Sequence, residues 1–198
     1  FEFWSTDCTQ AFLNAITGDR DIFVRQPYGL DLHNGRRCVY RLKKYLYGVR
    51  RAPLAWQQTL SACLAKLGFV SFKDDPCLMR RVQKNEKGDT SEIIAEVFVD
   101  DIKWATNDTE ALKDVICSVG DQFQITVGPK KVDSSLRDKV DWNHAKISTY
   151  LGMKYSQTFD EEGHVTLAVN QNTYIDQVIK RFELDGDDYA GRDTPLPA

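Results

Sequence analysis

An α+β domain is the fold class this 198-residue sequence predicts, and three observations predict it. Short apolar runs and amphipathic stretches alternate unevenly, as strands, helix, strands, helix, strands, helix, and not as strict strand–helix pairs. The strongest strand signal, Ser91 to Thr106 (SEIIAEVFVDDIKWAT), is two β-branched and aromatic runs meeting at Asp100 and Asp101, which reads as a buried hairpin. The clearest helix signal follows it at once, with Leu112, Val115, Ile116, Val119 and Phe123 on one face.

Each element follows in order. Phe1 to Ser5 alternates as a strand that delivers Asp7 at its end, and Ala11 to Ile16 reads as a short helix stopped by Gly18. Ile22 to Arg25 is a short strand and Gln26-Pro27-Tyr28-Gly29 a turn. Arg36 to Arg51 (RRCVYRLKKYLYGVRR) carries seven Lys or Arg, no acid and three tyrosines. Pro53 is expected to open a helix running to Leu67, with Trp56, Leu60, Cys63, Leu64 and Leu67 on its apolar face and Gly68 ending it. Cys77 to Val82 is a short run, and Lys84 to Asp89 a hairpin tip. After the central hairpin, Asn107 with Glu110 three residues on resembles a capping box. Gln124 to Val127 returns as a strand, and 129–147 is polar and aperiodic, an expected inserted loop. Tyr150 to Tyr155 and Val165 to Val169 pair around Asp160-Glu161-Glu162-Gly163. Tyr174, Ile175, Val178, Ile179 and Phe182 mark a last helix, and 184–198 reads as linker.

Composition narrows the function classes. The chain is 42% hydrophobic and 28% charged, ordinary for a globular protein, with a net charge of −3 that excludes a wholly basic nucleic-acid binder. No apolar run approaches a membrane span and no leader pattern opens the chain. The first residue is Phe1, which points to a piece of a longer polypeptide. Five cysteines, odd in number and without a CxxC, point to free thiols in a reducing, intracellular compartment. The three histidines form no ligand pattern.

Two carboxylates in a buried hairpin repel one another and lose solvation, and a divalent cation removes both objections. Asp100-Asp101 also fits a solvated turn, and Asp7 fits a helix N-cap. Basic side chains interleaved with tyrosines suit phosphates and bases, or equally a solvated basic face.

The ordered blocks STDCTQAFLNA, QPYGL, VYRLKKYLYGVRRAPLAWQQTL, DDPCLMRR, FVDDI, YLGMKYS, NQNTYIDQVIKRF and TPLP resemble the reverse transcriptase of copia-type (Pseudoviridae) LTR retrotransposons over nearly the whole chain. That resemblance implies a polymerase palm: a ferredoxin-like antiparallel sheet with helices on one face, then a hairpin and helix toward the thumb. Residues 1–183 would hold palm and start of thumb, with the N-terminal fingers missing. It implies an RNA-directed DNA polymerase joining dNTP to a primer 3′-OH on an RNA or DNA template. Asp7, Asp100 and Asp101 match the catalytic carboxylates that hold two Mg²⁺, or Mn²⁺, ions.

Cys8, Phe12 (the match to a steric gate against a 2′-hydroxyl, or a core residue), Gly48 and Pro53 match the nucleotide site. Arg41, Lys43, Lys44, Tyr47, Arg50 and Arg51 match template contacts, and Leu151-Gly152 the primer grip. Lys130 or Lys131 is a candidate general acid. Implied partners are the rest of the polyprotein (fingers, RNase H, integrase), with no membrane, and the implied location is a cytoplasmic virus-like particle. Phe98 replaces the commoner Tyr before the paired aspartates. The alternative reading is a truncated, catalytically inactive relic that at most binds nucleic acid.

Overall fold

A computed structural model of the chain describes residues 1–18, 21–29, 38–84, 88–128, 130–146 and 149–184. Arg36 and Arg37, most of the expected linker, and the middle of the 84–89 hairpin tip lie outside the described residues. The chain divides into two units, Phe1–Lys146 and Ile147–Ala198. It is a mixed α/β structure with antiparallel sheets and, among the described residues, three α-helices.

The first unit is built on a seven-stranded sheet of order β4-β5-β6-β7-β1-β8-β9. Its strands are β1 (Glu2–Cys8), β4 (Val70–Ser71), β5 (Leu78–Lys84), β6 (Thr90–Phe98), β7 (Asp101–Thr106), β8 (Ile125–Val127) and β9 (Lys130–Val132). A separate ribbon pairs β2 (Phe23–Arg25) with β3 (Val39–Arg41). Two helices belong to this unit, α1 (Ala52–Lys66) and α2 (Thr109–Gly120).

Alternation along the strands decides which face is covered. Trp4, Thr6 and Cys8 of β1 are buried, as are Ile102, Trp104 and Thr106 of β7 and Ile93, Ala95 and Val97 of β6. The register puts these on one face: Trp4 opposes Trp104, Thr6 opposes Ile102, and Val97 opposes Ile102 from the other side. Trp56, Leu60 and Leu64 of α1 and Leu112, Val115, Ile116 and Val119 of α2 join the same apolar core. The buried indole of Trp104 donates to the Thr6 hydroxyl at 3.0 Å, so the core's polar atoms are partnered where they meet. The opposite face of the sheet carries Phe3, Ser5, Asp7, Asp101 and Lys103, and it is open.

Several expectations needed correction. β1 runs on to Cys8, so Asp7 sits inside the strand and not after its end. The first helix is one 3-10 turn, Ala11–Asn14. Helix α1 starts at Ala52, so Pro53 is its second residue. The cap of α2 is Asp108, whose carboxylate accepts from the Ala111 N–H at 3.0 Å. Asn107 instead accepts from the Glu92 N–H and donates to the Thr90 carbonyl, each at 2.8 Å, tying β6 to the helix entry.

The segment expected as an inserted loop is ordered where it is described. β9 extends the sheet, and two 3-10 turns follow, Arg137–Lys139 and Trp142–Ala145. Trp142 stacks on Trp4 at 5.8 Å, while Arg137 pairs with Glu110 and Asp114 of α2 at 2.9 and 2.7 Å.

The second unit holds β10 (Thr149–Tyr150), β11 (Met153–Phe159) and β12 (Val165–Asn170) in one antiparallel sheet, followed by α3 (Asn172–Arg181). Leu151 and Gly152 form the two-residue turn between β10 and β11, both in the left-handed region at φ 47° and 76°. That is the φ pair a tight hairpin of the primed type requires.

Candidate active site

The site is a row across the open face of the first sheet. Phe98 opposes Asp101, Asp101 opposes Asp7, Asp7 opposes Thr126, and Thr126 opposes Lys131. Residues opposed in antiparallel strands point to the same side, so this row is one line of side chains. Asp100 occupies the adjoining turn, and its carbonyl accepts the Cys8 N–H at 2.7 Å. The sequence separates Asp7 from Asp101 by more than ninety positions; the β1–β7 pairing makes them neighbours.

Electrostatics agree with that geometry. Partial desolvation, then the charge of Asp100, pushes the Asp7 carboxyl above the usual range, and the Thr126 hydroxyl offsets part of this by hydrogen bonding to it. Asp101 is pushed up by desolvation, then by Asp100 and Asp7, with Lys103 opposing. Lys103 is held on the same face by Glu96 at 3.3 Å. The three carboxylates repel one another, and their oxygens are the hard donors that Mg²⁺ or Mn²⁺ prefers. That donor chemistry fits a divalent cation. Among the described residues, no three His, Cys, Asp or Glu side chains stand already gathered as a metal-holding group.

The remaining expected residues fall in different places. Cys8 sits beside Asp7 in sequence but points the other way, into the core, where burial and the nearby aspartates push its thiol up to about 12. Its contribution at the open face is therefore confined to its backbone. Phe12 is buried, with its ring 4.6 Å from that of Tyr47. Tyr47 is largely exposed; local desolvation, then the charges of Asp100 and Asp7, raise its pKa, and a hydrogen bond from the Ala11 backbone opposes this. Tyr47 is thus near enough to feel the carboxylates, with the Phe12 ring packed against it.

Backbone bonds tie the basic stretch to residues 15–17. Tyr45 N–H donates to the Ala15 carbonyl and Thr17 N–H to the Lys43 carbonyl, at 2.9 and 3.1 Å. Lys43, Lys44, Gly48, Arg50, Arg51 and Pro53 are exposed. Arg41 is engaged by Asp21 at 2.7 Å. Leu151 and Gly152 belong to the second unit.

Thr126 and Lys103 were not singled out by sequence, and the sequence could not choose between the two candidate lysines, Lys130 and Lys131. Only strand register places Thr126, Lys103 and Lys131 on the face of the carboxylates. Lys131 lies two strands from Asp7, about 10 Å by ordinary strand spacing. Lys130, one residue away, alternates to the other side.

Comparison with known proteins gives the family. A family model described as reverse transcriptase (RNA-dependent DNA polymerase) matches residues 3–197, and the chain belongs to that family. Among its relatives is the Retrovirus-related Pol polyprotein from transposon RE2 of Arabidopsis thaliana, 33% identical over 119 residues, covering 60% of this chain and 8% of the relative. The corresponding polyprotein from transposon TNT 1-94 of Nicotiana tabacum is 24% identical over 90% of this chain and 12% of the relative. The Transposon Ty1-ER2 Gag-Pol polyprotein of Saccharomyces cerevisiae is 26% identical over 92% of this chain and 10% of the relative. The chain therefore spans about 8–12% of the length of these relatives. The copia-type kinship expected from the ordered blocks is the kinship found.

Proposed function

We propose that this chain is the polymerising part of a copia-type reverse transcriptase, transferring a deoxynucleotidyl group from a dNTP to a primer 3′-OH on an RNA or DNA template. The observation that carries the reading is the pairing of Asp7 with Asp101 on an open sheet face, with Asp100 in the adjoining turn. The strand order β6-β7-β1-β8, with α1 and α2 as crossovers, supports a ferredoxin-like palm. The second unit is then the start of the thumb, with Leu151-Gly152 at the primer end.

Asp7, Asp100 and Asp101 would hold two Mg²⁺ ions, which Mn²⁺ could replace. Bound there, the ions supply charge stabilisation to the attacking and leaving oxygens. The residues themselves do the rest. The β1–β7 ladder fixes the two strand carboxylates side by side, so little reorganisation is needed when phosphate arrives. Phe12 and Tyr47 form an aromatic wall against the sugar, with Gly48 and Pro53 beyond it. Lys43, Lys44, Arg50 and Arg51 are exposed cations suited to a phosphate backbone. Arg41, partnered by Asp21, would contribute least. Phosphoryl transfer asks for little more than this positioning and neutralisation.

The remainder of the polyprotein, with fingers, RNase H and integrase, is the proposed partner, and a cytoplasmic virus-like particle the proposed location. No helix among the described residues is long and apolar enough to cross a membrane.

Primer extension on an RNA template with Mg²⁺ or Mn²⁺ tests the reading, with the chain alone and within its longer polyprotein. Extension by the parent and none by Asp100→Asn is the expected result. Template binding without extension by either would favour the inactive relic.

A further inference from the structure

The turn between β6 and β7 is strained. The last paired residues of the two strands are Phe98 and Asp101, so Val99 and Asp100 alone make the turn. Val99 has φ +55°, in the left-handed region. Asp100 has no positive φ, and two-residue hairpins with a positive φ at the first turn position alone take glycine there; a β-branched side chain in that region is an outlier. Such strain persists only when neighbouring groups over-determine the conformation.

Two backbone carbonyls of the turn are held from different elements. The Asp100 carbonyl accepts from Cys8 N–H in β1 at 2.7 Å. The Val99 carbonyl accepts from the indole Nε1–H of Trp56 in α1 at 2.5 Å. Trp56 is fully buried, and its ring meets Phe123 edge-on at 5.1 Å, so the indole is not free to swing away. On composition alone Trp56 is one more core residue of the α1 stripe. Its N–H, which a core phenylalanine would lack, is aimed at the one strained residue of the site.

We propose that Trp56 is a positioning residue for the aspartate turn: its indole N–H clamps the Val99 carbonyl, holds the left-handed valine in place, and so fixes where Asp100 and Asp101 point. The clamp does not touch substrate. It rests on the proposed polymerase reading only for its catalytic consequence, and its geometric part stands by itself.

The test has a structural arm and a kinetic arm. Trp56→Phe keeps an aromatic ring against Phe123 and removes the N–H. Amide hydrogen exchange of the 97–103 segment is expected to speed roughly five- to tenfold in this variant, the scale of one lost hydrogen bond, with the rest of the first unit unchanged. Val99→Gly takes φ +55° without penalty, so in the double variant exchange is expected to return toward the parent rate. Val99→Gly alone should leave the turn as protected as in the parent.

In primer extension, Trp56→Phe is expected to lower kcat roughly tenfold or more with KM for dNTP little changed, and the double variant to recover part of it. Unchanged exchange in Trp56→Phe overturns the proposal. So does a general loss of protection that Val99→Gly does not repair, because that is the signature of core packing alone. A parent that extends no primer defeats the polymerase reading, while the exchange arm still decides the clamp.

Discussion

As ionised groups Asp7 and Asp101 destabilise the fold, because desolvation and the neighbouring aspartates push each above the ordinary carboxylate range. A carboxyl whose folded value is raised loses stability as pH rises through that value and the group ionises. Asp101→Asn, measured by urea unfolding at neutral pH without divalent cations, is therefore expected to stabilise the chain by roughly 0.5–1 kcal/mol, kept small by solvent screening. A destabilised variant would mean that the charge is compensated as it stands. The carboxylates themselves were legible in the sequence, since two anions between apolar runs need a reason. Thr126 was not, nor was the choice between Lys130 and Lys131, because a Thr or Lys in a short strand carries no mark of its register partner. The direction of the Cys8 side chain was hidden for a related reason: neighbouring residues in a strand face opposite ways, and Asp7 takes the open side.

At the level of elements, the segment after β8 shows how a polar, aperiodic stretch can still be fastened in place. Gly120 ends α2 against β9, where a Cβ would lie 2.0 Å from the Val132 carbonyl oxygen. Gly120→Ala cannot relieve that contact by moving a flexible side chain, so a loss of about 2–3 kcal/mol is expected in a denaturant melt. An unchanged midpoint would show that the β9 attachment is loose. Hydrogen bonds from Lys113 and then Arg137 hold the Glu110 carboxyl below its usual range.

A depressed carboxyl adds stability above its unfolded value, and the contribution is lost as pH falls from the ordinary glutamate value, about 4.3, through the lower folded one. Arg137→Gln should flatten that acid-side decline, read as melting temperature against pH. The periodicity of α1 and α2 was plain in the sequence, and their stripes are the core. The cap of α2 was misread by one residue because Asn107 is also a capping type, and its side chain turned out to serve β6. Segment 130–146 was unreadable because its hold comes from single contacts, Trp142 on Trp4 and Arg137 on α2, and not from a repeating pattern.

On the scale of the whole molecule, the sheet turns a linear order into a site. One helix-covered face provides the core, and the bare face gathers the carboxylates of β1 and β7 with Asp100 in the adjoining turn. Family membership accounts for why these blocks occur in this order, and the strand register accounts for what their juxtaposition can do. The most direct check is the rate of single-nucleotide addition to a primer on an RNA template with Mg²⁺, comparing the parent with Asp101→Asn in the same polyprotein context. The account predicts extension by the parent and a fall of roughly a thousandfold or more in the variant, whose fold is intact or firmer. An Asp101→Asn protein that extends at the parent's rate would contradict it.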